Sequence, residues 1–187
     1  MKVVWSNVVV AVIVMAVVAV LTQVASQVTE IGDDVAEVTP GDPGRIENAE
    51  ITVTRVRLTR AITDELGTPS TCGDDCAFLV VTVEVTDRGR TELPLTTALE
   101  YAGVEAQAAS PLIGQQAGYA ITTQVPIAVD PTRLEGARFS VWPLEDFRVY
   151  PQRVTVDLGI DATERERLIA EAPASITIPV SAERRPL

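Results

Sequence analysis

The stretch FLVVTVEVT, residues 78–86, decides the fold class of this chain. From Val81 to Thr86, valines alternate with threonine or glutamate, which is the pattern of a β-strand with one buried face. The same alternation runs through residues 119–129, where Pro126 predicts an edge or bulged strand because proline lacks a backbone N–H. The chain is therefore expected to be mostly β.

Six further segments predict strands. Within residues 46–60 the apolar phase changes between Val53 and Val56, which predicts a β-bulge near Thr54. The shorter candidates are residues 95–101, 103–108, 136–142, 153–158 and 175–180. Turn residues separate these segments, as expected for antiparallel strands.

One short helix is predicted between the last two strands. Thr163 and Glu166 have the spacing of a capping box ahead of Leu168 and Ile169, and Pro173 prevents continuation of the helix. Short strands with a single helix favour an antiparallel β-sandwich of about seven to eight strands over an α/β fold.

The N-terminal part of the chain predicts a membrane span. Residues 3–21 are apolar except for Ser6 and Asn7, and as a helix they would rise about 28 Å, close to the thickness of the hydrocarbon core. Lys2 precedes them and acidic residues follow, so we expect a cytoplasmic N-terminus and an extracytoplasmic C-terminal domain in the plasma membrane. The alternative is a secretory signal peptide cleaved near Ser26.

Four parts of the chain follow from these patterns. We predict a transmembrane signal anchor or signal peptide at residues 1–22, an acidic flexible stalk at 23–44, a β-sandwich domain at 45–181 and a frayed C-terminal tail at 182–187. The stalk carries carboxylates and no basic residue, so its charges repel one another and keep it extended.

Composition excludes several functions. The net charge of −11 excludes nonspecific nucleic-acid binding and argues against attraction to anionic lipid. The chain has no histidine, and Lys2 is its single lysine, so histidine-based nucleophiles, histidine-ligated metals and Schiff-base chemistry are excluded. A carboxylate pair of the glycosidase kind is the one enzyme chemistry left. We expect a protein that is not an enzyme and has no cofactor.

Cys72 and Cys76 predict a disulfide. They lie four positions apart in a polar loop before the strand at residues 78–86, and an exported chain encounters oxidising conditions. Two sulfurs without histidine leave a metal site short of ligands, and the spacing differs from the C-x-x-C of redox pairs. We therefore expect a structural bridge that pins the loop.

Arg55 and Arg57 are the candidate contact residues. They are two apart on one predicted strand, so their side chains point to the same face and could bind an anionic group or a partner. The alternative is that both arginines pair with carboxylates on the protein surface.

Acidic pairs and aromatic residues offer two further interpretations. A calcium ion could be held if the loops of the acidic pairs converged, although a solvated acidic surface is the simpler interpretation; these pairs are Asp33/Asp34, Asp64/Glu65 and Asp74/Asp75. A glycan-stacking platform is the second, but alternation places two of the aromatics on opposite faces of one strand, which favours packing. The aromatics are Tyr101, Tyr119, Phe139, Trp142 and Tyr150.

Three segments carry a family resemblance: IENAEITVTRVRLTR at 46–60, FLVVTVEVTDRG at 78–89 and LPLTTALEYAG at 93–103. With the leader and acidic stalk before them, they resemble the small immunoglobulin-like extracellular domains of Gram-positive, actinobacterial surface proteins, akin to the immunoprotective secreted antigen of mycobacteria. The chain departs from the lipid-anchored members because its first cysteine is Cys72, far from the leader. The resemblance implies an immunoglobulin-like sandwich with a non-enzymatic interaction role, and it supplies no catalytic residue.

We therefore expect a membrane-tethered extracytoplasmic β-sandwich that acts as an interaction or accessory module in the cell envelope, with protein partners in the membrane or envelope. One alternative is a small subunit of a larger membrane complex, held by its transmembrane helix, in which Ala11, Ala16 and Ala19 would allow close helix packing. Another is a secreted ligand-binding domain or a carboxylate-dyad enzyme acting on glycans.

Overall fold

Thirteen β-strands make up most of the part of the chain that the computed structural model describes, namely residues 35–73, 75–89, 94–108, 117–144, 152–179 and 182–187. A 3₁₀ helix (Pro131–Arg133) and an α-helix, α1 (Ala162–Ala170), accompany them. The strands are β1 (Val35–Val38), β2 (Gly44–Ile46), β3 (Ala49–Thr59), β4 (Ala61–Thr63), β5 (Pro69–Thr71), β6 (Ala77–Asp87), β7 (Leu95–Tyr101), β8 (Val104–Gln107), β9 (Tyr119–Val129), β10 (Arg138–Pro143), β11 (Arg153–Asp157), β12 (Ile176–Thr177) and β13 (Glu183–Pro186).

Two five-stranded sheets contain most of the strands. Sheet I has the order β1-β11-β10-β7-β8, and sheet II has the order β13-β9-β6-β3-β2. All neighbours pair antiparallel except β1, which runs parallel to β11. The strands predicted at residues 78–86, 95–101 and 119–129 are confirmed as β6, β7 and β9.

The core lies between the inner faces of sheets I and II. Sheet I contributes Phe139 and Leu99, and sheet II contributes Val53, Leu79 and Ile127, all at most 1% exposed and all in one cluster. Burial of apolar area in one shared core is what holds two sheets face to face. The predicted β-sandwich is therefore confirmed at this level, with more strands than the expected seven to eight.

The predicted bulge in β3 is confirmed. Val53 pairs with Val83, whereas Arg55 pairs with Thr82, so Thr54 is the extra residue of β3. Inserting one residue reverses which positions face inward. As a result, Arg55 lies on the outer face of sheet II although Val53 lies in the core.

The predicted stalk is wrong for residues 35–44. Residues 35–38 form β1 and pair with β11, with Glu37 pointing away from the core side. At Gly44, in β2, a Cβ atom would lie 2.3 Å from a methyl carbon of Val154, so this position is packed into the fold. The part of the stalk at 23–34 and the anchor at 1–22 lie outside the described residues.

The predicted frayed tail is also wrong, because Glu183–Pro186 forms β13. This strand pairs with Tyr119–Thr122 at the start of β9 and closes that edge of sheet II. β1 has only four residues and β13 has three charged residues out of four, so neither shows the alternation of a longer strand. Residues 180–181, at the end of the predicted domain, are not described.

A third, small sheet follows β3, with the order β12-β4-β5. The strand expected at residues 175–180 is reduced to Ile176–Thr177, which pairs parallel with β4. The predicted short helix is confirmed as α1, and its N-cap is Asp161, two residues before the Thr163 that the capping box predicts. Neither helix of the described residues combines the length and apolarity that a bilayer crossing demands.

Candidate functional site

The bulge in β3 places both candidate arginines on the outer face of sheet II. Arg55 lies opposite Thr82 of β6, and Arg57 lies opposite Val80. Thr82 in turn pairs with Gln124 of β9. We call this surface the arginine face and define it by Arg55, Arg57, Thr82, Glu84 and Gln124.

Arg57 is half-buried and is held across the sheet. Its Nη2 donates a hydrogen bond of 3.3 Å to Oε1 of Gln124, reaching over β6. Its Nε is buried and has no acceptor among the described residues. Arg57 is therefore positioned by Gln124 rather than by a carboxylate, and its unpaired Nε costs free energy because a buried donor has lost its water.

Arg55 is exposed, and the described residues offer it neither a hydrogen bond nor an ion pair. The carboxylates of the same sheet face are already engaged. The carboxylate oxygens of Glu50 lie 3.0 Å from a guanidinium nitrogen of Arg45 and 3.6 Å from one of Arg88. A carboxylate oxygen of Glu84 lies 3.6 Å from a guanidinium nitrogen of Arg185. Among the described residues, neither Arg55 nor Arg57 forms an ion pair with a carboxylate.

Two guanidinium groups without a described carboxylate partner thus lie together on one sheet face of an acidic chain. The net charge of the chain is −11, yet Arg55 and Arg57 face solvent or a neutral amide. Guanidinium groups form strong, directional hydrogen bonds with carboxylates and phosphates. The arginine face can therefore recognise an acidic group on a flat surface.

Cys72 and Cys76 form the predicted disulfide, with their Cα atoms 5.5 Å apart. The bridge closes the loop between β5 and β6, at the end of the sandwich opposite the β2–β3 turn. The disulfide therefore lies away from the centre of the arginine face. The disulfide therefore constrains the loop that joins the β4–β5 hairpin to β6.

A pocket of about 240 Å³ lies beside the disulfide. Its described walls include Leu58, Ala77, Pro131 and Ile169, and Arg60 is the one charged residue among the lining residues that the structure describes. Ligand pockets for small molecules are usually larger, about 300–1,000 Å³. Within the described lining, Arg60 therefore has no carboxylate beside it.

The acidic pairs are not brought together within the described residues, which contain no group of three or more potential metal-ligating side chains. Asp64 is occupied by its own turn, since its Oδ1 accepts from the backbone N–H groups of Leu66 at 3.0 Å and Thr68 at 2.7 Å. Asp33, Asp34 and Asp74 lie outside the description.

Asp130 caps the 3₁₀ helix at the edge of the pocket. Donation by the hydroxyl and backbone N–H of Thr132 lowers the pKa of Asp130 below its ordinary value. Its backbone N–H donates to the hydroxyl of Tyr101. These contacts join sheets I and II at this end and give Asp130 a structural role.

The aromatic residues do not share a face. Phe139 is fully buried in the core, while Trp142 is half-buried on the outer face of sheet I with the guanidinium of Arg153 4.5 Å from its ring centre. The prediction that these two aromatics point in opposite directions is therefore confirmed. Tyr150 lies outside the described residues.

Sequence reasoning missed the partner of Arg57. Gln124 lies 67 positions away along the chain, and its place beside Arg57 depends on the register of β6 with β9. The alternation of β9 does put Gln124 on the polar side with Thr122. That alternation is the one sequence feature that indicates that the side chain of Gln124 points to the outer face of sheet II.

The comparisons with known proteins are sparse. No protein-family model and no curated protein matches the chain. Among solved structures, the chain is similar to an uncharacterised β-sandwich protein from Clostridium difficile, with 13% identity and a TM-score of 0.41 over 67% of this chain and 95% of that one.

Proposed function

We propose that this protein is a membrane-tethered, extracytoplasmic binding module that is not an enzyme, and that its arginine face contacts an acidic group of a protein partner in the cell envelope. The observation that carries the proposal is Arg55, an exposed arginine without a described partner, beside the sheet-held Arg57. A flat array of this kind suits recognition, because catalysis needs groups that converge around a substrate.

The finer features of the proposal come from the sequence. The apolar residues 3–21 provide the tether, and the lack of histidine excludes the commonest acid–base chemistry. An immunoglobulin-like arrangement of the sandwich, as in actinobacterial surface proteins, agrees with an interaction role. Partners in such modules contact sheet faces or edges through main-chain and side-chain hydrogen bonds.

Site-specific photo-cross-linking in native membranes tests this function. A photoreactive amino acid at Thr82, in the middle of the arginine face, should give a defined cross-linked product. The same amino acid at Glu105, an exposed residue of β8 in sheet I, should not. Arg55→Glu should reduce the product from Thr82 by about tenfold, because it places a negative charge against an acidic partner.

Arg60→Glu is the matched control. Arg60 is also exposed and without a described partner, and its substitution changes the net charge by the same amount, but it lies at the pocket beside the disulfide. Equal loss with both variants would show a nonspecific charge effect. If cross-linking from position 82 does not exceed cross-linking from position 105, the arginine face is not the contact surface.

A further inference from the structure

The two ends of the sandwich differ, and one of them is where the chain enters. β1 begins at Val35, which pairs with Arg153 at the start of β11. The β2–β3 turn lies at this same end, since the backbone N–H of Glu47 donates to the side chain of Gln152. We call this the entry end and define its surface by Val35, Trp142, Leu144 and Arg153.

Exposed apolar side chains are present at the entry end. Val35 is 42% exposed and Leu144 is 47% exposed. The backbone N–H of Leu144 donates to Pro94, just before β7, which fixes this residue at the end of sheet I. Single exposed apolar residues are ordinary on protein surfaces, so the residues around them decide whether they belong to a contact surface.

Their neighbours are a tryptophan and an arginine. Trp142 is half-buried on the outer face of sheet I, beneath the guanidinium of Arg153. Tryptophan is enriched at membrane–water interfaces because its ring is apolar while its N–H is polar. Arginine pairs well with lipid phosphate, so the four residues together have the chemistry of a headgroup contact.

Charge distinguishes the opposite end. The segment around α1, which follows the far end of β11, is rich in carboxylates that an anionic membrane surface would repel. They are Asp157, Asp161, Glu164, Glu166 and Glu171, and they outnumber the two arginines of α1, Arg165 and Arg167, which pair with the three glutamates. The entry end, which also carries Glu47, differs from the α1 end mainly in its exposed Val35 and Leu144 and in the Trp142–Arg153 pair.

The length of the connecting chain keeps the entry end near the bilayer. Residues 22–34, about 13 residues, separate the apolar segment from Val35 and can extend at most about 45 Å. Since β1 extends the folded unit back to Val35, the tether is shorter than the sequence indicates.

We propose that the entry end rests in the headgroup region of the membrane that holds the apolar segment, with Trp142, Val35 and Leu144 at the interface and Arg153 against lipid phosphate. This inference rests on the proposed membrane tether. The contact orients the sandwich with α1 and the disulfide away from the lipid. Its driving force is local apolar and aromatic burial rather than net charge, so zwitterionic lipid is sufficient.

Fluorescence quenching by labelled lipid tests this contact. The chain has two tryptophans, Trp5 and Trp142, so a full-length Trp5→Phe variant reports on Trp142 alone. Reconstituted into phosphatidylcholine vesicles that carry a nitroxide on the headgroup, Trp142 should be strongly quenched and its emission blue-shifted. Addition of phosphatidylglycerol should change the quenching little.

Variants at the two ends separate docking from mere proximity. Val35→Glu combined with Leu144→Glu should remove most of the quenching. The matched control is Leu66→Glu combined with Val104→Glu, because these residues are 87% and 46% exposed and lie away from the entry end, Leu66 in the β4–β5 loop and Val104 at the start of β8. The control should keep the quenching of the parent.

The outcomes distinguish the two proposals. Protein that sediments with vesicles while Trp142 stays unquenched would overturn the lipid contact and leave the tether in place. Protein that does not sediment with vesicles would overturn the tether and the contact with it. Quenching that appears only when native membrane proteins are added would assign the entry end to a protein neighbour and so overturn the lipid contact.

Discussion

Two buried threonines of sheet I differ in what their hydroxyl groups contact. Thr97 is 1% exposed, and its hydroxyl has no hydrogen-bond partner within the described structure. Thr155 is 8% exposed, and its hydroxyl shares a hydrogen bond of 3.0 Å with that of Ser140. An unpaired buried hydroxyl costs free energy, whereas a paired one contributes to stability.

The same substitution should therefore have opposite effects at these two positions. Thr97→Val removes the unpaired hydroxyl at nearly constant shape and should raise the free energy of unfolding by about 1 kcal/mol. Thr155→Val leaves the hydroxyl of Ser140 unpaired and should lower it by about 1 kcal/mol. Urea unfolding with an unchanged m-value measures both, and shifts of the same sign would contradict the assignment.

For single residues, the sequence predicts side-chain directions that depend only on adjacent positions in the same strand. The spacing of Arg55 and Arg57 is enough to put them on one face, because strand periodicity is local. The contact of Arg57 with Gln124, like that of Ser140 with Thr155, requires the register between strands. Register is set by the packing of the whole sheet, so neither contact could be predicted from spacing alone.

Among the elements, α1 gives a direct test of the structure against the sequence pattern. The side chain of Asp161 accepts from the backbone N–H of Glu164 at 2.8 Å. Asp161→Ala should lower the free energy of unfolding by about 1 kcal/mol, because the first turn loses its cap and Leu168 couples α1 to the core. Chemical denaturation measures the loss.

Thr163→Ala is the control for that prediction. The sequence pattern makes Thr163 the cap, whereas the structure places it inside the first turn of α1. Its replacement by alanine should therefore change stability by less than about 0.5 kcal/mol. A larger loss for Thr163→Ala than for Asp161→Ala would show that the helix begins where the capping box predicts.

The elements that were missed share a physical cause. β1 and β13 are edge strands of four residues each, and β4 and β5 are shorter still. Each has too few alternating positions to stand out, and each is ordered by hydrogen bonds to a neighbour that the sequence does not reveal. The long strands β6 and β9 were predictable because apolar residues recur at alternate positions along most of their length.

For the molecule as a whole, the Cys72–Cys76 disulfide should add to the free energy of unfolding without being required for folding. Cys72 and Cys76 close a loop of about five residues, for which the loss of unfolded-chain entropy corresponds to about 2 kcal/mol. A domain of this size usually has about 5–15 kcal/mol of stability. Reduction should therefore lower the urea midpoint and leave the circular-dichroism spectrum of the folded protein intact.

A double variant provides the control for reduction. Cys72→Ser with Cys76→Ser should unfold at about the same midpoint as the reduced protein, and reductant should not shift it further. Loss of the β spectrum on reduction in buffer would contradict the prediction. That result would mean that the core shared by sheets I and II does not keep the domain folded without the Cys72–Cys76 disulfide.

The extra residue in β3 has a consequence for how this gene can change. Thr54 separates two halves of one strand whose inward positions are out of phase. An in-frame deletion of its single codon would turn Arg55 and Arg57 toward the core and Val56 and Leu58 toward solvent. Substitutions along β3 can accumulate one at a time, but a one-codon deletion or duplication at the bulge cannot, so descendants of this gene should keep the length of β3 more strictly than its side chains.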